Sequence, residues 1–166
     1  MSSKSKYLQS ELYNKHYKRL YHVCLRILAD KFEAEEAMHD SFLKIFEHSG
    51  NLDKIQDFYA WSKMIAVRKA IDLLRRRKNK PVFESIDDNA DYFDYQDEQI
   101  PPSITVEQIK MLLDTMPDGY RIVLSLRLFE DLDFSEIAKI LNIKEASVRS
   151  QYIRGRKKIL DTLWTR

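Results

Sequence analysis

A chain of 166 residues is enough for one ordinary domain or two small ones, and two is the reading that the rest of the sequence supports. With only three glycines and four prolines, 33% charged residues and abundant Leu, Ile, Lys, Glu and Ala, the composition argues against a sandwich or barrel and predicts an all-α fold. The single Cys24 excludes an internal disulfide and reads as a small core residue in a reducing cytosol; no apolar run reaches bilayer length and no signal-type core follows Met1, so a soluble cytoplasmic protein without membrane insertion is expected.

In chain order, Tyr7, Leu8, Leu12, Tyr17, Leu20, Tyr21, Cys24, Ile27 and Leu28 recur at helical spacing and predict a long amphipathic first helix whose wide apolar face needs partners. Asp30 and Glu33 read as a capping box, and Ala34, Ala37, Met38, Ser41, Phe42, Ile45 and Phe46 mark a second helix ending near Ser49 and Gly50. Asp57 opens a third, with Phe58, Trp61, Met64, Ile65, Ile71 and Leu74 on its buried side. Three such helices make a bundle over residues 1–78. The polar side of the second helix carries Glu35, Glu36, His39, Asp40 and Lys44. Glu36 and His39 have the spacing of one half of a carboxylate di-metal site, but no second Glu-x-x-His pair exists, so a solvated or partner-facing surface is expected and no metal or cofactor.

The net charge of +2 conceals a strong segregation. Residues 60–80 hold Lys63, Arg68, Lys69, Arg75, Arg76, Arg77, Lys78 and Lys80 against Asp72 alone, whereas residues 81–109 hold no cation against Glu84, Asp87, Asp88, Asp91, Asp94, Asp97, Glu98 and Glu107. Two nucleic-acid contacts separated by an acidic connector are the simplest physical reading. Pro81, Pro101 and Pro102 bracket the connector, which lacks a sustained apolar period and is expected to be a flexible linker over residues 79–104. Its Phe83, Ile86, Tyr92, Phe93 and Tyr95 are too aromatic for a mere spacer and suggest that part of it docks. Thr105 with Gln108 then caps a helix running through Leu113.

From Asp133 onward the chain reads as a helix-turn-helix. Asp133 and Glu136 form a capping box, Ile137, Ile140 and Leu141 follow helical spacing, and Asn142 tolerates the left-handed exit that a sharp turn requires. After the turn, Val148, Tyr152 or Ile153, and Ile159 continue the apolar stripe. The other side of this second helix carries Ser147, Arg149, Ser150, Gln151, Arg154, Arg156, Lys157 and Lys158. Arg and Gln are suited to bidentate bonds with guanine and adenine edges in a major groove, and the cations further along to phosphates. Arg149, Ser150, Gln151 and Arg154 are accordingly assigned to bases, and Ser147, Arg156, Lys157 and Lys158 to phosphates.

In order, Met116-Pro117, the run 121–127, Phe134 to Ala138, Asn142-Ile143, Ser147 to Ser150 and the run 154–160 resemble the C-terminal domain of sigma-70 family RNA polymerase factors, most closely the extracytoplasmic-function (ECF) group. Upstream, Ala34 to Lys44 resembles the sigma helix that grips the clamp coiled coil of core RNA polymerase. Phe58, Ala60-Trp61, Ile65-Ala66 and the run 71–77 resemble the segment that melts and reads the minus-ten element. The resemblance implies core-polymerase contacts at Glu36, His39, Asp40, Leu43 and Lys44, and minus-ten contacts at Trp61, Lys63, Arg68, Lys69, Arg75 and Arg76. It places the base-reading residues on the minus-thirty-five element, in a domain spanning residues 105–166. It also implies a bacterial cytoplasmic protein that directs core RNA polymerase to promoter DNA, with an anti-sigma protein as a further partner to consider. The chain departs from the family pattern at Asn142 (usually Gly), Lys144 (usually a Ser or Thr cap), His39 (usually Gln) and Arg68 (commonly Asn).

Two other readings compete. A stand-alone helix-turn-helix regulator binding duplex DNA as a dimer would leave residues 1–78 as a sensing domain, yet these show no ligand motif. An enzyme would need a Gly-rich phosphate loop, a Cys or His cluster or a nucleophile motif, and none is present, so no catalytic residue is assigned.

Overall fold

The computed structural model describes residues 3–78, 83 and 100–165, and among these every regular element is helical. The chain divides into two compact units, Met1–Lys80 and Pro81–Arg166.

In the first unit, α1 (Ser3–Leu28), α2 (Lys31–Phe46) and α3 (Phe58–Lys78) pack against one another, with a short 3-10 helix, Ser49–Lys54, between the last two. Leu20, Val23, Cys24 and Ile27 of α1, Ala34, Ala37, Met38, Phe42 and Ile45 of α2, and Ala66, Val67, Ala70, Ile71 and Leu74 of α3 form the core. The alanines let the helices approach closely, and each buried Leu or Ile contributes about 1.5–3 kcal/mol by leaving water. Tyr7 does not join this face: it is 72% exposed, because at 3.6 residues per turn it falls well round the helix from the Leu20 and Cys24 line. Helix α1 ends at Ala29, which holds a left-handed φ of 53° while its N–H bonds Leu25 O at 2.8 Å.

Asp30 caps α2 by accepting from Glu33 N at 2.9 Å. The reciprocal arm expected of a capping box is replaced: the Glu33 carboxylate takes an ion pair from Arg77 at the far end of α3, tying the start of one helix to the end of another. Helix α2 stops at Phe46, earlier than the Ser49 and Gly50 boundary read from sequence, because His48 N turns to Ile45 O and Asn51 N to His48 O, the tighter three-residue pattern. Asp57 then accepts from Ala60 N at 2.9 Å and opens α3.

The second unit holds α4 (Val106–Thr115), α5 (Asp118–Leu128), α6 (Phe134–Leu141) and α7 (Glu145–Trp164). Both predicted capping boxes are complete: Thr105 with Gln108 (3.2 and 2.8 Å) before α4, and Asp133 with Glu136 (2.8 Å each way) before α6. Leu113, Leu124 and Ile159 form one cluster, and Ile137, Leu141 and Val148 are buried between α6 and α7 or beside them. Arg121 is buried at the start of α5, where it donates to Met116 O at 3.1 Å and to Asp118 Oδ1 at 2.6 Å. That pair closes the α4–α5 corner. The connector residues Ile86, Tyr92, Phe93 and Tyr95 and its acidic strip lie outside the described residues. Phe83 is described and lies beside Gly119 of α5.

Candidate nucleic-acid interface

The turn between α6 and α7 forms as its residues dictate. Asn142 adopts φ 55° and ψ 47°, the left-handed region, and Ile143 N bonds back to Ala138 O at 3.1 Å. Lys144, the next residue, gives no side-chain cap to α7, so Ser147 N and Val148 N are held by the Lys144 carbonyl at 3.0 and 3.2 Å.

Along α7, buried Val148, Gly155 and Ile159 face the unit. Tyr152, not Ile153, continues the stripe, its ring 5.2 Å from that of Phe134. Half-buried Ser150 and exposed Arg154 and Lys157 recur at spacings of four and three on the outward side, so the structure brings these three together on one line. Ser147, three residues before Ser150, extends that line, and the other predicted contacts flank it on two sides. Arg149 lies on the α6 side, where its guanidinium stacks 4.9 Å over Phe134 and pairs with Glu145 at 2.7 Å. Phe134 also receives Arg127 at 5.4 Å, so this ring is a platform between two guanidinium groups, which sequence reading missed because it treated Phe134 only as a family marker. Arg156 has Nε and Nη2 withdrawn from solvent, unlike the exposed Lys157. Gln151 and Lys158 lie on the α5 side: Gln151 Oε1 lies 3.4 Å from where a side chain on Gly119 would begin, and Lys158 sits 5.6 Å over Tyr120. Ser147 is half-buried.

On α3, Trp61, Arg68 and Arg75 are seven residues apart and share a face, with Lys69 and Arg76 beside it. Trp61 is half-buried, its ring 5.7 Å from His48 and 6.0 Å from Phe58. Arg75 lies 3.7 Å from Asp72. Lys63 falls on another flank of α3, 5.8 Å over Tyr59, and the same ring carries Arg19 of α1 at 3.4 Å. Next to it, His16 is buried with its ring 4.9 Å from that of Phe58. Its pKa lies below the usual imidazole value, first through burial and then through Lys15 and Arg19, with Asp57 opposing.

On α2, Glu36, His39 and Leu43 share the side turned away from the core. Leu43 is 66% exposed. His39 pairs with Glu35 at 3.7 Å and stacks 6.3 Å from Tyr13 of α1. Lys44 donates to Glu47 at 2.7 Å, which holds the Glu47 carboxyl below its usual range. Among the described residues no group of three or more His, Cys, Asp or Glu is gathered to hold a metal, and no helix is long and apolar enough to cross a membrane.

Residues 12–80 match the description of Sigma-70 region 2, and residues 106–159 that of Sigma-70, region 4, in the order in which the two helical units occur. The chain belongs to the ECF group of the sigma-70 family. It is similar to the ECF RNA polymerase sigma factor SigW of Bacillus subtilis (24% identical over 149 residues, 84% of this chain and 80% of the relative). It is likewise similar to SigM of the same organism (26% over 152 residues, 90% and 91%). The sigma factor RpoE of Bartonella quintana, solved in complex with the anti-sigma factor NepR, shares the fold at a TM-score of 0.58 and 16% identity, over 93% of this chain and 95% of that one. The chain is thus an ECF-type sigma factor, a transcription initiation factor.

Proposed function

We propose that this sigma factor directs core RNA polymerase to promoters through two DNA contacts and one polymerase contact, divided between its units. Residues 1–78 carry the polymerase surface and the minus-ten contacts, residues 79–104 serve as the linker, and residues 105–166 carry the minus-thirty-five contacts. The observation that carries this reading is the helix-turn-helix with its left-handed Asn142 exit and the outward line Ser150, Arg154 and Lys157, joined in one chain to a separate bundle with cations along α3. Arg149, Ser150, Gln151 and Arg154 read bases, and Ser147, Arg156, Lys157 and Lys158 meet phosphates. On α3, Arg68, Lys69, Arg75 and Arg76 track a separated strand's backbone with Trp61 at its head and Lys63 on the flank toward Tyr59, an arrangement suited to single-stranded DNA. Glu36, His39, Asp40, Leu43 and Lys44 of α2 face the polymerase. The site of action is the bacterial cytoplasm, and an anti-sigma protein is a candidate regulator.

A single helix-turn-helix offers few base contacts, so the free chain is expected to bind promoter duplex weakly and to gain sequence specificity only with core polymerase. Binding of cognate and scrambled promoters by the free chain and by the reconstituted holoenzyme tests this. Tight sequence-specific binding by the free protein at physiological salt would refute it and favour the dimeric regulator.

A further inference from the structure

The core-facing side of α2 is fully used: Met38, Phe42 and Ile45 are buried. Two large apolar side chains of the same helix point the other way, Phe32 at 86% exposure and Leu43 at 66%. Positions 32, 36, 39 and 43 are spaced four, three and four apart, so Phe32, Glu36, His39 and Leu43 form one stripe, with Glu35 and Asp40 at its edges. The two apolar ends are about 16 Å apart at 1.5 Å per residue. Between them the charges are unbalanced. Lys44 is matched by Glu47 and Glu35 lies 3.7 Å from His39, whereas among the described residues neither Glu36 nor Asp40 has a cationic partner.

We propose that Phe32 is a second apolar anchor of the polymerase-binding surface, seated in an apolar pocket of core polymerase whose cations face Glu36 and Asp40. This rests on the reading that gives α2 to the polymerase and extends it by a full turn toward the helix start, where the sequence pattern marked no contact. Phe32 and Leu43 together set two exposed apolar side chains on one face with carboxylates between and beside them, and aromatic anchors bordered by polar groups are where protein interfaces concentrate binding energy. The two carboxylates choose among occupants. Nucleic acid is repelled by them, and a second copy of this chain would set the same carboxylates against each other, so a cationic protein surface is the occupant that fits.

The test is equilibrium binding of the full chain to purified core polymerase without promoter DNA, for Phe32→Ala, Leu43→Ala and Asp40→Lys, with circular dichroism on each. Phe32 makes no core contact, so Phe32→Ala should keep the helical signal while raising Kd roughly tenfold with an unchanged salt dependence, as expected for loss of an apolar anchor. Asp40→Lys should also weaken binding but alter its salt dependence. If Leu43→Ala and Asp40→Lys weaken binding and Phe32→Ala does not, the anchor is refuted while the α2 reading stands. If none of the three weakens binding, the α2 reading falls and the anchor with it. If Phe32→Ala leaves core affinity unchanged but abolishes self-association of the free chain in sedimentation, the patch belongs to a second copy and the proposal is overturned.

Discussion

Replacing Gly155 by alanine sets two effects of opposite sign against each other in α7. In an ordinary helix interior the change stabilises by about 1 kcal/mol, since glycine is a poor helix former. At this position α7 crosses α5, and an added Cβ would lie 2.8 Å from Leu124 Cδ1, 3.3 Å from Leu124 Cγ and 3.1 Å from Tyr120 Cβ. Leu124 is fully buried and cannot swing into solvent, and Tyr120 Cβ is fixed to the α5 backbone. Either Leu124 leaves its rotamer or the helices separate, and overpacking of that kind costs about 1–3 kcal/mol. The net expectation is a loss of about 1 kcal/mol, confined to the second unit. Hydrogen exchange of the α5 and α7 amides, set against those of α1 to α3, reads it unit by unit. Leu124→Ala provides the control: with the side chain removed, Gly155→Ala should become neutral or stabilising, a coupling of about 2 kcal/mol between the two positions. Uniform stabilisation by Gly155→Ala in the parent chain would show that the crossing is not tight and that glycine is present there for another reason.

Ala29→Gly should stabilise the first unit by about 0.5–1 kcal/mol in denaturant unfolding, because the left-handed φ of 53° strains alanine by more than the chain entropy that glycine adds. The depressed His16 pKa has a definite sign: between the unfolded value near 6.5 and the lower folded value, only the unfolded chain binds the proton. The first unit should therefore lose stability as pH falls below about 6.5, by at most 1.4 kcal/mol per pH unit, until the folded value is passed, and His16→Leu should remove that part of the slope in pH-dependent melts. On holoenzyme, Arg154→Ala should cost about 1–3 kcal/mol at cognate minus-thirty-five sequences and little at scrambled ones, whereas Lys157→Ala should weaken both equally and lower the salt slope by about one ion. Equal losses on both DNAs for Arg154 would make it a phosphate contact.

Helix starts and stops marked by a side chain within one turn were legible, as at the Thr105 and Asp133 capping boxes, the Asn142 turn and the Asp57 start, whereas the end of α2 at Phe46, set by backbone turns alone, was not. Nor were features set by distant residues. Nothing near Glu33 in sequence shows that Arg77 will claim its carboxylate, and nothing near Phe134 shows that Arg149 will stack on it. Tyr7, read as part of the apolar stripe of α1, lies about 140° round the helix from Leu20 when counted at roughly 100° per residue, so a strict count, not packing, separates it from the buried face. For the candidate sites, the sequence reading set Arg149, Ser150 and Arg154 on adjoining parts of one face with Lys157 further along; the structure instead puts Lys157 on the line of Ser150 and Arg154, and leaves Arg149 and Gln151, two residues apart and so on opposite sides of the helix, against Phe134 of α6 and Gly119 of α5.

The flank taken by Arg149 accounts for how α7 tolerates a missing cap. A side-chain cap at Lys144 would be worth about 1 kcal/mol, and its absence leaves first-turn N–H groups without a side-chain acceptor. Glu145 stands next, in the first turn, where a carboxylate opposite the helix dipole stabilises by about 0.3–1 kcal/mol and its pair with Arg149 one turn on adds about 0.3–0.5 kcal/mol. The deficit is roughly offset. Both partners of that pair are about half exposed, so the tie is at the weak end of ion pairs, and a bidentate base contact, at about 1–3 kcal/mol of discrimination, outweighs it. Arg149 is therefore held over Phe134 by an interaction strong enough to reduce its rotamer freedom and too weak to outweigh the base contact proposed for it. Glu145, which the sequence reading left outside the site, sets that balance.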